Sequence, residues 1–238
     1  MKVLAIDTST YVMGVAITDG DKVLGEYITN IKKNHSIRLM PAIELLMKEV
    51  GITAKELDKI VVAQGPGSYT GVRIAVTTAK TLAWSLSIPV VGVSSLHVLA
   101  QNGRGFAGYI CPLYDARRGQ IYTGLYQTTD TMDVIKVEED RLLLASEWAT
   151  LLKEKKQDIL FIGNDVTLHK SSLVEQLQQH VFVAPPSLFN PRPSELALLG
   201  ACEEGESNVH LFSPTYLQLA EAESKWLEAQ QMKGNENE

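Results

Sequence analysis

The sequence predicts an α/β protein made of two similar lobes. Short apolar runs of strand length alternate with longer segments of helical periodicity, and the same order of elements occurs twice along the 238 residues. The composition agrees with this fold class. Hydrophobic residues make up 45% of the chain but aromatic residues only 7%, which suits an aliphatic α/β core better than an aromatic-rich β sandwich.

The first half, residues 1–103, begins with three consecutive strands. The second and third strands are joined by Asp19-Gly20-Asp21, a strong hairpin signal. Ser36 is a good N-cap for the first helix. The predicted strands are 2–6, 12–18, 22–28, 59–63 and 90–93, and the predicted helices are 36–50, 70–87 and 94–101.

The second half, residues 104–203, repeats this order, so that both halves are β-β-β-α-β-α-β-α. Asp7 closes the first strand of one half and Asp115 closes the first strand of the other. The predicted strands are 108–113, 120–127, 132–137, 158–162 and 181–184, and the predicted helices are 146–155, 166–179 and 194–203.

Two such units form the duplicated actin-like fold (ASKHA, ribonuclease H-like) of actin, sugar kinases and Hsp70 ATPase domains. In that architecture the last helix, here 194–203, often returns to the first lobe. Residues 204–238 are predicted to be a polar tail that is partly disordered, above all from Gly234 to Glu238.

Charge and cysteine content exclude several classes of protein. The net charge is -6 without a dense Lys/Arg run, so a protein that grips nucleic acid by itself is not expected. Cys111 and Cys202 form neither a disulfide framework nor a zinc set. The apolar N-terminal stretch reaches Asp7 too soon for a signal peptide or a membrane span, so we expect a cytoplasmic protein without membrane contact.

A glycine-rich loop lies between a predicted strand and the helix at 70–87. Glycine lets a backbone approach a ligand closely, and a helix N-terminus suits phosphate. It is not a Walker A loop, because no Lys follows the last glycine. A tight turn capped by Ser or Thr explains the loop equally well. The candidate phosphate-binding residues are Gly65, Gly67, Ser68, Gly71 and Arg73.

The turn after the first strand and its counterpart in the second half are the other candidate nucleotide sites. In an actin-like fold both turns face the cleft between the lobes, where carboxylates can hold Mg²⁺ and phosphate. The residues alone favour a simpler interpretation, in which each aspartate caps its own turn. The candidates are Asp7, Thr8, Ser9, Asp115 and Arg117.

Histidine spacing does not predict a protein metal site. No two of the five histidines are three or four residues apart, as a helical metal pair requires. They are His35, His97, His169, His180 and His210.

The helices at 36–50 and 70–87 carry more apolar surface than one buried face needs. The second of them has only Arg73 and Lys80 as charges. Both helices could be sandwiched inside one lobe, but the shortage of charge favours a protein–protein interface. The predicted interface residues are Leu39, Met40, Ile43, Met47, Ala75, Thr78, Ala79 and Leu82.

Five motifs, in order along nearly the whole chain, resemble the TsaB family, also called YeaZ. The glycine motif is the most specific of them. The motifs are Leu4-Ala5-Ile6-Asp7-Thr8-Ser9-Thr10, His35-Ser36 with Leu39-Met40-Pro41, Gly65-Pro66-Gly67-Ser68-Tyr69-Thr70-Gly71-Val72-Arg73-Ile74, Asp115-Ala116-Arg117, and Pro214-Thr215-Tyr216-Leu217-Gln218 with Glu221-Ala222-Glu223.

The resemblance implies a partner protein in the synthesis of threonylcarbamoyladenosine in tRNA. Such proteins have the actin-like fold, pair with the homologous metal-dependent enzyme TsaD, and engage the small ATPase TsaE. TsaD transfers a threonylcarbamoyl group to N6 of adenosine 37 in tRNAs that read codons beginning with A. Two positions depart from the family pattern: Gln218 stands where Arg is common, and Tyr69 where Phe is usual.

The resemblance also implies a non-catalytic subunit, or pseudo-enzyme, without activity of its own. The chain lacks the paired histidines with which TsaD holds its metal. Alone, it is expected to form a homodimer through the first-lobe helices, and to meet tRNA only within the complex. No tightly bound cofactor is expected; ATP or ADP with Mg²⁺ at the complex interface is the candidate ligand. An actin-like small-molecule kinase or ATP-binding protein is the alternative, whereas no nucleophile or metal set supports a peptidase.

Overall fold

The computed structural model describes residues 1–217, in which two five-stranded sheets form the framework. In the first half the strands are β1 (Lys2–Asp7), β2 (Val12–Asp19), β3 (Lys22–Asn30), β4 (Lys59–Gly65) and β5 (Val90–Ser94), and the helices are α1 (Leu39–Val50), α2 (Tyr69–Leu86) and α3 (Ser95–Ala100). In the second half the strands are β6 (Tyr109–Asp115), β7 (Gln120–Thr128), β8 (Val134–Leu144), β9 (Ile159–Ile162) and β10 (Val181–Val183), and the helices are α4 (Ala145–Lys153), α5 (Val166–Leu177) and α6 (Pro193–Ala201).

The two sheets have the same topology. Their strand orders are β3-β2-β1-β4-β5 and β8-β7-β6-β9-β10. In each sheet the first three strands form an antiparallel meander, and the last two run parallel to the first. The duplicated actin-like α/β fold predicted from the sequence is therefore confirmed.

The central strand β1 is apolar at nearly every position because helices cover both faces of its sheet. Leu4 and Ile6 point to one face, where they belong to the core formed with α1 and α2. Val3 and Ala5 point to the other face, against α6. The continuous apolar run of β1 therefore follows from burial on both sides.

The third helix of each half packs on the sheet of the other half. Leu196 and Ala197 of α6 lie on the first sheet. Leu96 and Leu99 of α3 lie on the second sheet. Residues 1–103 and 104–203 are therefore the units of the sequence repeat, whereas each packed lobe includes one helix from the other unit.

A buried lysine holds the end of α6 on the first sheet. Lys59, only 7% exposed, begins β4. Its Nζ donates hydrogen bonds to the carbonyl oxygens of Gly200, Ala201 and Glu203 at 3.2, 3.0 and 2.8 Å. These are carbonyls at a helix C-terminus, which a positive charge stabilises.

The two largest differences from the predicted element boundaries are at the start of the first helix and at the end of β8. The first helix begins at Leu39, after a separate 3₁₀ turn at His35–Ile37 in which the Asn34 side chain accepts a hydrogen bond from the Ser36 amide. Strand β8 continues to Leu144 because it pairs with β7 beyond the charged run that follows residue 137. The charged residues did not predict the part of β8 after residue 137, which is a strand because it pairs with β7.

The chain after α6 returns to the first lobe. Val209 and Phe212 are buried in the core of that lobe. The Nζ of Lys80 on α2 donates to the carbonyl oxygens of His210 and Phe212 at 3.2 and 2.6 Å. The disorder predicted for Gly234 to Glu238 lies outside the described residues, as do Gln218 and the Glu221-Ala222-Glu223 motif. Within residues 1–217, no helix is both long and apolar enough to span a membrane.

Candidate functional site

The turn after β1 and the glycine loop after β4 form one packed unit. The two strands are parallel neighbours, so their carboxyl ends meet at the same edge of the sheet. Thr8 Oγ1 donates to the carbonyl oxygen of Gly71 at 2.7 Å. The Ser68 amide donates to the carbonyl oxygen of Ser9 at 2.7 Å. The structure thus brings together Thr8, Ser9, Ser68 and Gly71.

The glycines of this loop are required by contacts inside the chain. A Cβ on Gly67 would lie 2.3 Å from the carbonyl oxygen of Ser9, and a Cβ on Gly71 would lie 2.1 Å from that of Thr8. Any side chain would force the loop away from the turn after β1. The Gly71 amide donates to Ser68 Oγ at 3.4 Å, which caps α2. Of the two interpretations, the geometry favours the capped strand-to-helix turn.

Arg73 faces away from this turn. Its Nη1 donates to the Tyr69 hydroxyl at 2.8 Å, and its guanidinium lies over the Tyr69 ring at 5.2 Å from the centroid. It lines a surface groove with Thr70 and Thr77 on the outer face of α2. The predicted role of Arg73 beside a phosphate is not supported by this position.

Asp7 is buried at the junction of the lobes, with a side chain only 3% exposed. Its Oδ1 accepts a hydrogen bond from the Ser9 amide at 2.8 Å, which caps the turn. Its Oδ2 is buried and has no hydrogen-bond partner among residues 1–217. Burial raises the pKa of this carboxyl. One carboxylate oxygen is therefore left for a ligand or a proton.

Tyr114 of the second sheet lies close to Asp7. Burial raises the pKa of Tyr114 well above its usual value, and the negative charge of Asp7 raises it further. The Tyr114 hydroxyl donates to the carbonyl oxygen of Ser95 at 3.0 Å. The buried Tyr114 ring lies beside Asp7, and the amides of Ser68 and Gly71 already donate to groups of the chain itself. The residues present therefore do not fit a Mg²⁺–nucleotide held as in a kinase.

Asp115 lies in a different environment from Asp7, although it ends the corresponding strand. Its Oδ1 is 2.9 Å from Nε2 of His169, and its amide donates to Asp165 Oδ2 at 3.0 Å. Burial raises the pKa of Asp165. Arg117 lies in the tight turn to β7 with a left-handed φ of 67°. The sequence interpretation missed Asp165 and His169, whose i, i+4 spacing at the start of α5 was the available signal.

The first-lobe helices do not present all the residues predicted for an interface. The structure buries Leu39, Ile43, Ala75 and Ala79 in the core of their own lobe, so these four predictions are corrected. Their side chains form the inner stripes that cover the first sheet. Met47, Thr78 and Leu82 are half-buried, and Met40 is exposed.

Other apolar side chains on this surface are exposed instead. Ile37 and Leu45 point outward near α1, and Trp84 near the end of α2 is 64% exposed. Ile37 and Leu45 lie outside the apolar stripe that the first helix buries. This position in the helical pattern is the signal that could have identified them as exposed apolar residues.

The outer face of α2 is almost free of charge. Of its two charged residues, Lys80 is bonded to tail carbonyls and Arg73 is held on Tyr69. Beside this face runs a groove of about 440 Å³. Its lining residues are Ser36, Tyr69, Thr70, Arg73, Ile74, Thr77 and Thr78.

Residues 214–217, the described part of the last sequence motif, lie against the glycine loop and the start of α2. The Tyr216 ring stacks on Tyr69 with centroids 5.1 Å apart. The Thr215 amide donates to the carbonyl oxygen of Gln64 at 2.9 Å. Gly65 has a φ of 113°, and a Cβ there would lie 2.5 Å from the carbonyl oxygen of Thr215. Gly65 therefore serves the packing of the tail against the glycine loop.

The duplicated sheets with their exchanged third helices define the chain as an α/β protein of the actin-like class. A family model described as "TsaD: tRNA N6-adenosine threonylcarbamoyltransferase" matches residues 22–226. The tRNA threonylcarbamoyladenosine biosynthesis protein TsaB of Bacillus subtilis (strain 168) is 52% identical over 230 residues, covering 97% of this chain and 100% of that protein. The chain belongs to the TsaB family, and it carries a TsaD-related domain.

More distant relatives agree with this assignment. The TsaB protein of Escherichia coli (strain K12) is 30% identical over 164 residues, covering 63% of this chain and 71% of that protein. The solved structure of YeaZ from Pseudomonas aeruginosa is similar with a TM-score of 0.75 and 29% identity. This similarity covers 91% of the present chain and 99% of the Pseudomonas chain.

Proposed function

We propose that this chain is a non-catalytic subunit that pairs with TsaD, and also engages TsaE. The complex transfers a threonylcarbamoyl group to N6 of adenosine 37 in tRNAs that read codons beginning with A. The observation that carries the proposal is the nearly uncharged outer face of α2, together with exposed apolar side chains on α1 and α2, in a chain that belongs to the TsaB family. The names of the relatives support the tRNA modification, and the surface supports the pairing.

The outer face has the chemistry and the length of a protein interface. With 18 residues, α2 extends for about 27 Å, enough to cross a contact of standard size. Met40 and Leu45 on α1 and Trp84 on α2 are exposed large apolar side chains. Met and Trp are enriched in interface cores, where Trp often forms a hot spot. The homodimer of the chain alone uses the same face, so TsaD and a second copy compete for it.

The geometry around Asp7 supports a subunit without activity of its own. The glycine loop is bonded to the turn after β1, and no three His, Cys, Asp or Glu side chains cluster as a metal site within residues 1–217. We expect the chain alone to bind no nucleotide tightly, and ATP or ADP with Mg²⁺ to lie at the interface of the complex. The net charge of -6 supports tRNA contact through TsaD rather than through this chain. We place the complex in the cytoplasm.

Replacing Trp84 by Glu tests the pairing. A charge buried in a desolvated contact without a partner destabilises it by about 3–5 kcal/mol, so affinity for TsaD falls at least about 100-fold. Leu168→Glu is the matched control, because Leu168 is 66% exposed on α5, the counterpart of α2 in the second half. Isothermal titration of each variant with TsaD gives the affinity, and circular dichroism checks folding.

The same variants separate the parts of the proposal. Both should remain folded, and only Trp84→Glu should lose the homodimer, TsaD binding and threonylcarbamoylation of tRNA in a mixture with TsaD and TsaE. Equal affinity of the two variants for TsaD would place the interface elsewhere. Absence of binding by the unaltered chain, with or without ATP, would refute the pairing itself.

A second candidate, an actin-like small-molecule kinase or ATP-binding protein, has the unpartnered oxygen of Asp7 in its favour and the bonded loop amides and buried Tyr114 against it. Calorimetry of the isolated chain with Mg-ATP distinguishes the two functions. Tight binding with turnover, both lost in Asp7→Asn, would support the kinase over the non-catalytic subunit.

A further inference from the structure

The edge of β5 is open beyond its first residue. β5 is the last strand of the first sheet and pairs on one side only, with β4. The Ile60 amide of β4 donates to the carbonyl oxygen of Pro89. In a parallel ladder every second residue directs its backbone amide and carbonyl to the same neighbour, so those of Val91 and Val93 also point toward β4. The backbone groups of Val90 and Gly92 then point away from the sheet.

Val90 already has a partner on this edge, and Gly92 does not. The amide of Val90 donates to the carbonyl oxygen of Glu206 at 3.3 Å, and the Glu206 amide donates back at 2.8 Å. This is the antiparallel pairing of a bridge residue. The Gly92 amide and carbonyl have no hydrogen-bond partner on this side within residues 1–217. An added extended segment would continue the sheet from Gly92 onward.

A groove of about 420 Å³ runs along this edge. Leu199 and Phe212 give it apolar walls. Its acidic residues are Glu203, Glu204 and Glu206, all of them exposed. An extended chain that pairs with Gly92 would thus have apolar contacts beside its backbone and carboxylates within reach of its side chains.

The basic side of the groove does not offset these carboxylates. Lys136 forms an ion pair with Glu139 at 2.9 Å. His97 places its Nε2 2.8 Å from the carbonyl oxygen of Val134 and stacks on Tyr126. The groove therefore favours a positively charged occupant.

We propose that this groove binds a partner protein through a short extended segment that carries Lys or Arg side chains and adds a strand to β5. Main-chain pairing with Gly92 supplies affinity, as in other cases of strand addition, and the glutamates select basic side chains. None of the residues that carry this proposal lies among those proposed to contact TsaD, so this site does not depend on that function.

The test uses two fluorophore-labelled peptides of alternating sequence, one of Lys and Val and one of Glu and Val. Fluorescence anisotropy with the full chain should show saturable binding of the basic peptide alone, weakened at about 0.5 M salt. In the ¹⁵N-labelled chain, the basic peptide should slow hydrogen exchange of the Gly92 amide at least about tenfold, because that amide gains a carbonyl partner.

Charge reversal at the rim checks the role of the carboxylates. The double variant Glu203→Lys/Glu204→Lys should bind the basic peptide roughly tenfold more weakly, because two weak surface attractions become repulsions. The matched control is Glu154→Lys/Glu175→Lys, which changes the net charge equally at two exposed positions of the second half. Its affinity should stay close to that of the unaltered chain.

Several outcomes would overturn the proposal. These are no saturable binding, equal binding of the acidic peptide, equal weakening in both double variants, or binding that leaves exchange at Gly92 unchanged. Protection of Gly92 in the free chain would also overturn it. If that protection rises with concentration, a second copy fills the groove; if it disappears on truncation after residue 217, the chain's own C-terminal segment does.

Discussion

Replacing Lys59 by Met should loosen α6 from the first sheet. The Nζ of Lys59 donates to three backbone carbonyls at the end of this helix, and its side chain is almost completely buried. Met keeps most of the aliphatic stem but removes all three donors. The substitution therefore tests the hydrogen bonds and the charge more than the packing.

The expected loss follows from the three carbonyls left without a partner. Each unsatisfied group, in a partly buried position, destabilises the fold by roughly 1 kcal/mol, which gives about 3 kcal/mol. For a chain of this size 1 kcal/mol lowers the melting temperature by about 2–4 °C, so we expect a decrease of about 9 °C. Urea denaturation followed by circular dichroism measures the free energy of unfolding.

Hydrogen exchange adds a local measurement. Amides of α6 should exchange faster in Lys59→Met, whereas those of α4 in the second half should change much less. Lys55→Met is the matched control, because Lys55 lies four residues earlier and is exposed. A loss below about 1 kcal/mol, or equal losses in the two variants, would refute the role of Lys59 as the tie between α6 and the first sheet.

Two further predictions concern the lobe junction. Gly71→Ala should lower the free energy of unfolding by about 3 kcal/mol or more, because its Cβ would overlap the Thr8 carbonyl oxygen. The control is Gly20→Ala, whose Cβ meets nothing within 4 Å and which should lose only about 1 kcal/mol. Equal losses in the two variants would contradict this account. Asp7→Asn should gain stability relative to the unaltered chain as the pH rises. Burial raises the folded-state pKa of Asp7 above its usual 3.8, so the carboxyl's contribution is present below that value and is lost as the pH passes the raised pKa. Urea titrations of both proteins across this window check the sign, and a stability difference independent of pH would contradict it.

The sequence predicted the elements that depend on local signals. Asp19-Gly20-Asp21 marked the hairpin of β2 and β3, and Ser94 marked the start of α3, whose His97 amide it caps. Turn and cap signals depend on a few neighbouring residues, so they can be recognised without tertiary information. The charged end of β8 could not be recognised in this way, because only its pairing with β7 makes it a strand.

The candidate site was predicted as a set of residues but not as an arrangement. The sequence identified the glycine loop and the turn after β1, and the parallel pairing of β1 and β4 brings them together. A glycine pattern alone cannot distinguish a loop that approaches a phosphate from one that approaches its own backbone. At Gly67 and Gly71 the neighbour is the backbone of residues 8 and 9.

The sequence by itself determined the duplicated order of strands and helices, the family, and the excess of apolar surface on the first-lobe helices. These follow from periodicity and motifs, which are properties of neighbouring residues. Only the tertiary structure decided that Ala79 is core while Trp84 is surface, and that α3 packs on the second sheet. Burial depends on which surfaces meet in space, and residues far apart in the chain supply them.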